Sequence, residues 1–181
     1  LARKYDGFTF FYNGPKSGAS APDHHHFQAA PKGLIPLQED VERFFASAQN
    51  DNWCAQNDNW CAQNDRRDAQ NDNCHVERSR DISEQPRLQY LTSEQDASLY
   101  HYKRFTAGVF VIKADTAKSA AKLFYRLLDC ADIPEGEKEP LFNLFTYWQD
   151  GEFRSIVVFR SRHRSHHYFS DGPDHLTMSP G

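Results

Sequence analysis

Gly7-Phe8-Thr9-Phe10-Phe11-Tyr12-Asn13-Gly14-Pro15-Lys16-Ser17-Gly18-Ala19-Ser20-Ala21-Pro22-Asp23-His24-His25-His26-Phe27-Gln28-Ala29 reads as strand, loop and strand. Residues 7–12 are aromatic and β-branched, and Asn13-Gly14-Pro15 stops the run. Residues 24–29 form the next expected strand. In an extended chain, side chains two apart share a face, so His24, His26 and Gln28 are expected to project together, with His25 and Phe27 opposite. The loop between carries Gly14, Gly18 and the small Ala19 and Ser20, which let backbone N–H groups approach an anion. Lys16, Ser17 and Ser20 add donors. The stretch therefore predicts a phosphate-holding loop beside an imidazole.

Beyond this stretch, Gly108-Val109-Phe110-Val111-Ile112 is an apolar run of strand type. Asp115 is expected to cap a helix reaching Leu128, because Ala117, Ala120, Ala121, Phe124, Leu127 and Leu128 recur at helical spacing. Residues 134–140 read as a charged linker and residues 141–149 as a second helix. Residues 153–160 follow the Asp150-Gly151 turn as a strand. Together these predict an α+β class with an antiparallel sheet packed with helices. Phe110, Phe124, Leu127, Phe142, Phe145, Ile156 and Val158 are the expected core.

The middle of the chain follows different rules. Ala48-Gln49-Asn50-Asp51-Asn52-Trp53-Cys54 is repeated from Ala55 and recurs in altered form from Ala62 and Ala69. A coiled coil needs apolar residues three and four apart, whereas here Trp, Cys and Ala are adjacent. Asn and Asp are also poor in helix interiors. The equal spacing of Cys54 and Cys61 follows from the repeat and is no independent sign of metal ligation. Residues 46–87 are expected to be a disordered low-complexity insertion, polar enough to gain little from folding. The expected domain is thus partial and discontinuous, over residues 1–45 and 88–181.

At 181 residues with 39% hydrophobic content, the chain supports one moderate core. A net charge of −4 and a pI near 6.1 give no basic surface for nucleic acid or an anionic membrane. No long apolar stretch or signal-peptide pattern is seen, and the four cysteines form no disulfide framework, so a cytoplasmic location is expected. The sequence starts without methionine and is expected to be a fragment.

The loop leading into His24-His25-His26-Phe27-Gln28 resembles the histidine-triad (HIT-like) superfamily, specifically its transferase branch of galactose-1-phosphate uridylyltransferase, diadenosine-tetraphosphate phosphorylase and GDP-hexose phosphorylase. The stretch also resembles a bacterial domain of unknown function that shares Tyr-Asn-Gly-Pro-Lys-x-Gly-Ala-Ser-Ala-Pro-Asp-His-x-His-Phe-Gln. Asn143-Leu144-Phe145-Thr146 and the strand ending Phe159-Arg160-Ser161 resemble the downstream stretch of the phosphorylases, with Phe159 where proline is usual. The resemblance implies that His26 attacks the α-phosphorus of a nucleotide sugar or dinucleoside polyphosphate and holds a covalent nucleotidyl group. It implies that His24 orients His26, and that Gln28 donates to a phosphate oxygen. Hydrolases of the superfamily usually carry a third histidine at the Gln28 position; an amide cannot protonate a leaving group, which favours transfer.

Asn13, Lys16, Ser17, Gly18 and Ser20, with Arg160, His163 and Arg164, are the expected nucleotide and phosphate contacts. Asp23 lengthens the Ser20-to-His26 spacing by one residue relative to better-known relatives, which leaves the role of Ser20 open. The implied partners are a nucleotide and a phosphate or sugar-phosphate acceptor, with a homodimer allowed and no metal or cofactor expected. Two rival readings stay open. His-x-His on a strand also suits a metal, with His163, His166 or His167 completing the shell. Alternatively, interruption and truncation leave a non-catalytic remnant.

Overall fold

The computed structural model describes residues 1–19, 26–56, 88–103, 105 and 107–163, with the backbone alone over 47–56. The chain divides into two compact units: Leu1–Leu34 with Gln89–Gly181, and Ile35–Leu88. The elements are β1 (Phe8–Asn13), β2 (Phe27–Pro31), α1 (Pro36–Gln56), β3 (Leu88–Glu94), β4 (Ala97–Tyr102), β5 (Val109–Ala114), α2 (Ala117–Asp129), β6 (Phe142–Gln149) and β7 (Glu152–Phe159). The strands form one sheet in the order β2-β1-β6-β7-β5-β4-β3. Pairs β1–β2, β1–β6, β6–β7, β5–β7 and β4–β5 are antiparallel. The fold is α+β, with two helices and a seven-stranded, mostly antiparallel sheet.

The expected second helix over residues 141–149 is the central strand β6. Leu141, Leu144, Phe145 and Trp148 recur at spacings a helix also satisfies, so periodicity alone misleads there. Two-sided pairing decides the matter: β6 bonds β1 across Phe11↔Phe145 and β7 across Phe145↔Ile156. Aromatic and β-branched side chains suit such a doubly paired surface. Asp150 and Gly151 close the β6–β7 hairpin with φ of 51° and 82°, the pair of left-handed conformations that a two-residue turn of this twist requires. Strands β3 and β4, absent from the expected set, meet at another tight turn in which Gln95 has φ 55°.

Helix α2 starts one residue later than expected. Thr116, not Asp115, is the N-cap, and its Oγ1 accepts the Ser119 N–H at 3.2 Å. Ser119, Ala120, Leu123 and Leu127 are its buried residues, a stripe at helical spacing. That stripe meets Ala97, Leu99, Ile112, Ala114, Phe142 and Val157 of the sheet to form one core. Of the expected core, Phe142, Leu127 and Ile156 are buried, and Phe110 and Phe124 pack partly buried against the cluster. An apolar groove of about 400 Å³ lies on this same face, where Phe10, Phe27, Phe124, Leu144 and Phe153 surround the hydrogen-bonded hydroxyls of Thr146 and Ser155.

In the second unit, α1 runs to Gln56, so helix continues ten residues past Ala46, where disorder was expected to begin. Pro36 opens the helix, a position that tolerates its missing N–H. Arg43 pairs with Glu39 at 2.7 Å, one turn away, and Val41 and Phe45 are buried on one side. Once nucleated, a helix gains one hydrogen bond per added residue, which favours propagation into a sequence that would not start a helix itself. Most of the repeat lies outside the described residues. No helix among the described residues is long and apolar enough to cross a membrane.

Candidate functional site

The register of the sheet assembles the site. Tyr12 pairs with Phe27 and Phe11 with Gln28, while Asn13 pairs with Asn143 on the other side of β1. Carried one residue past Tyr12, the same register sets Asn13 opposite His26, which is half-buried just before β2. Side chains alternate along these strands. Phe27 accordingly lines the groove beside α2, its ring 5.7 Å from that of Tyr12. Gln28, Asn13 and Asn143 occupy the opposite face.

There they form a directed chain of amides. Arg160 Nη1 donates to Asn143 Oδ1 at 3.2 Å, Asn143 Nδ2 donates to Asn13 Oδ1 at 2.6 Å, and Asn13 Nδ2 donates to Gln28 Oε1 at 3.4 Å. Among the described residues, Gln28 Nε2 has no partner and is the donor left at the end of the chain. Asn143 is buried and Arg160 half-buried, so the inner links are shielded from competing water.

The 14–18 loop is tied to the same chain. Ser17 carbonyl accepts from Asn143 Nδ2 at 2.8 Å and from Arg160 Nη1 at 3.1 Å. The loop folds back on itself through Ser17 N–H to Gly14 carbonyl at 2.8 Å, and Gly14 N–H reaches Phe142 carbonyl at 3.2 Å. Gly18 has φ +86°, and a Cβ there would lie 2.9 Å from Arg160 Nη1. The left-handed conformation favours glycine, and a side chain there would also have to displace the end of the Arg160 guanidinium. Ser17 Oγ is buried with no hydrogen-bond partner among the described residues. The Gly18 N–H donates to His163 Nδ1 at 3.3 Å.

A second pocket, of about 470 Å³, lies beside the loop, lined by Pro15, Lys16, Ser17 and residues 136–141. Lys16 is not part of the amide chain: its ammonium pairs with Glu137 at 2.6 Å across this pocket. Glu139 accepts from Tyr12 Oη at 3.1 Å. Burial, then the charge and hydrogen bond of Glu139, push the Tyr12 phenol from 10.0 up to about 12.

Of the expected site residues, Gln28, Asn13, Ser17, Gly18, Arg160 and His163 thus come together, with His26 adjacent. His24, Ser20 and Arg164 lie outside the described residues, as do His166 and His167. Among the described residues no three His, Cys, Asp or Glu side chains group to hold a metal ion. Asn143 is the central member that the expected set omitted. Its signal was the Asn143-Leu144-Phe145-Thr146 run, which the resemblance to the phosphorylases already picks out but which reads as helical by spacing.

A family described only as a domain of unknown function (DUF4922) matches residues 1–31, the segment containing β1, the loop and β2. No curated protein matches the chain, and no solved structure does.

Proposed function

We propose that this chain carries the active-site segment of a nucleotidyltransferase or phosphorylase of the histidine-triad-like type. The substrate class is a nucleotide sugar or dinucleoside polyphosphate. The observation that carries the reading is the direction of the amide chain, which leaves Gln28 offering N–H beside His26. A donor there suits a non-bridging phosphate oxygen, and an acceptor would repel it.

In the proposed reaction the lone pair of a neutral His26 ring nitrogen forms an N–P bond to the α-phosphorus. The P–O bond to the leaving phosphate breaks, and its oxygen keeps the electron pair. An oxygen of inorganic phosphate or a sugar phosphate then attacks the same phosphorus, and the N–P bond breaks to restore the imidazole. Gln28 Nε2 steadies the charge on phosphorus oxygens in both steps. The loop amide of Gly18 is held by His163 Nδ1. An anion bound by that amide takes the place of the imidazole nitrogen. The antiparallel sheet and the match over residues 1–31 support this family reading.

The test is incubation of full-length protein with a panel of nucleotide sugars and dinucleoside polyphosphates, followed by mass spectrometry. An acid-labile nucleotidyl adduct on His26 is expected, and His26→Asn should lack it. Absence of adduct with stoichiometric bound zinc would support a His24/His26 metal site instead. Neither adduct nor metal in a folded protein would identify a non-catalytic remnant.

A further inference from the structure

We infer that Arg160 is a positioning residue that sets the direction of the amide chain, and so decides that Gln28 presents N–H rather than C=O. This deepens the reading above and rests on it for the identity of the ligand as a phosphate group. A primary amide is nearly symmetric in shape but opposite in sign at its two ends. Turning it over exchanges donor for acceptor without moving an atom of the backbone. Nothing within β1 or β2 tells Asn13 or Gln28 which way to face.

Arg160 removes the ambiguity because a guanidinium only donates. Its Nη1 lies 3.2 Å from the Asn143 side chain and requires Oδ1 there. The Ser17 carbonyl, which only accepts, requires Nδ2 on the other end of the same amide at 2.8 Å. Asn143 is thereby fixed from both sides. Its second N–H then forces Asn13 to offer Oδ1, and Asn13 in turn offers Nδ2 to Gln28 Oε1. Arg160 cannot swing away cheaply. Its other donors bind Ser17 carbonyl at 3.1 Å, His163 carbonyl at 3.0 Å and Arg162 carbonyl at 3.3 Å. The cation therefore acts on a ligand through three amides, with nearly all its N–H groups engaged by protein acceptors.

Asn143→Asp tests this directly. The substitution keeps the shape and the acceptor facing Arg160, but removes both donors. Asn13 then turns its NH2 toward the new carboxylate, and Gln28 turns its own NH2 toward Asn13 Oδ1. The readout is hydrogen exchange of the assigned Gln28 side-chain NH2, measured by NMR on the full chain without ligand. We expect exchange about tenfold slower than in the unaltered protein, the protection one additional hydrogen bond confers. A second variant, Arg160→Gln, replaces the donor-only anchor by a group that faces either way, and the Gln28 NH2 should then exchange at an intermediate rate.

Inorganic phosphate and AMP are then titrated into each protein. The Gln28 NH2 resonances should shift in the unaltered protein, and the shift should be lost in Asn143→Asp. Unchanged exchange in Arg160→Gln overturns the role of Arg160, and unchanged exchange in Asn143→Asp overturns the amide direction, even if the ligand-induced shift persists in the unaltered protein. Slowed exchange in Asn143→Asp with no shift from either anion in the unaltered protein upholds the amide direction and removes the phosphate reading.

Discussion

Replacing Asn143 by leucine, which keeps the branching of the side chain but has no polar atoms, removes the centre of the site while leaving β6 intact. Three hydrogen bonds disappear: to Asn13 at 2.6 Å, to the Ser17 carbonyl at 2.8 Å and from Arg160 at 3.2 Å. Two neutral bonds at about 1 kcal/mol each and one from a cation at about 2 kcal/mol give a gross loss near 4 kcal/mol. The Ser17 carbonyl keeps its bond from Arg160, and the buried leucine adds roughly 1 kcal/mol of apolar transfer. The net cost should be about 2–3 kcal/mol. For a domain of this size that lowers the melting temperature by about 5–10 °C, measured by thermal and urea unfolding of the full chain. In a double-mutant cycle with Arg160→Met the two losses should fail to add, with a coupling of about 1–2 kcal/mol. A loss under about 0.5 kcal/mol, or additive effects, would refute the claim that these residues act as one network.

Other perturbations probe separate links. The Tyr12 phenol titrates near 12 in the folded chain against 10.0 as its ordinary value, so its contribution to stability is intact below pH 10 and is lost as pH rises toward 12. The stability difference between the unaltered protein and Tyr12→Phe should be flat up to pH 10 and then shrink, with tyrosinate absorbance following the change. Burial pushes the Glu152 carboxyl up, but hydrogen bonds and charges from Arg154 and Lys113 outweigh it and hold it below its ordinary 4.5. Its contribution is thus present above that pH and lost as pH falls through the folded value. Glu152→Gln, which leaves buried Arg154 without this ion pair, should cost about 2 kcal/mol at pH 7 and flatten the acid limb of the stability curve. Thr116→Ala should cost about 1 kcal/mol by unfolding midpoint, with Thr116→Ser close to neutral, because Oγ1 caps the Ser119 N–H.

The parts of the fold that were legible in sequence are those whose signal is local. Strands β1, β5 and β7 carry dense apolar or aromatic runs bounded by turns, and α2 carries a one-sided stripe. Strand β6 failed because its apolar spacing fits both periods, and only pairing with β1 and β7 resolves it. Strand β3 gives little pattern to read, since after Leu88 its residues are largely exposed at the sheet edge. The site divides the same way. The glycines and donors of the 14–18 loop and Gln28 lie within one short stretch, so their shared purpose shows in sequence. Asn143 and the bracing role of Arg160 depend on which strands adjoin β1 and in what register, and one sequence does not display that.

The placement of β2 and β3 gives the interrupted middle of the chain a geometric duty. They are the two outermost strands, so the polypeptide between Pro31 and Leu88 joins opposite margins of the sheet rather than neighbouring strands. Six strand spacings of roughly 4.8 Å make that span about 29 Å. A fully stretched chain needs on the order of nine residues to bridge it. The connection that carries the heptapeptide copies therefore has a minimum permitted length. A short turn joining the two margins would tear one of them away.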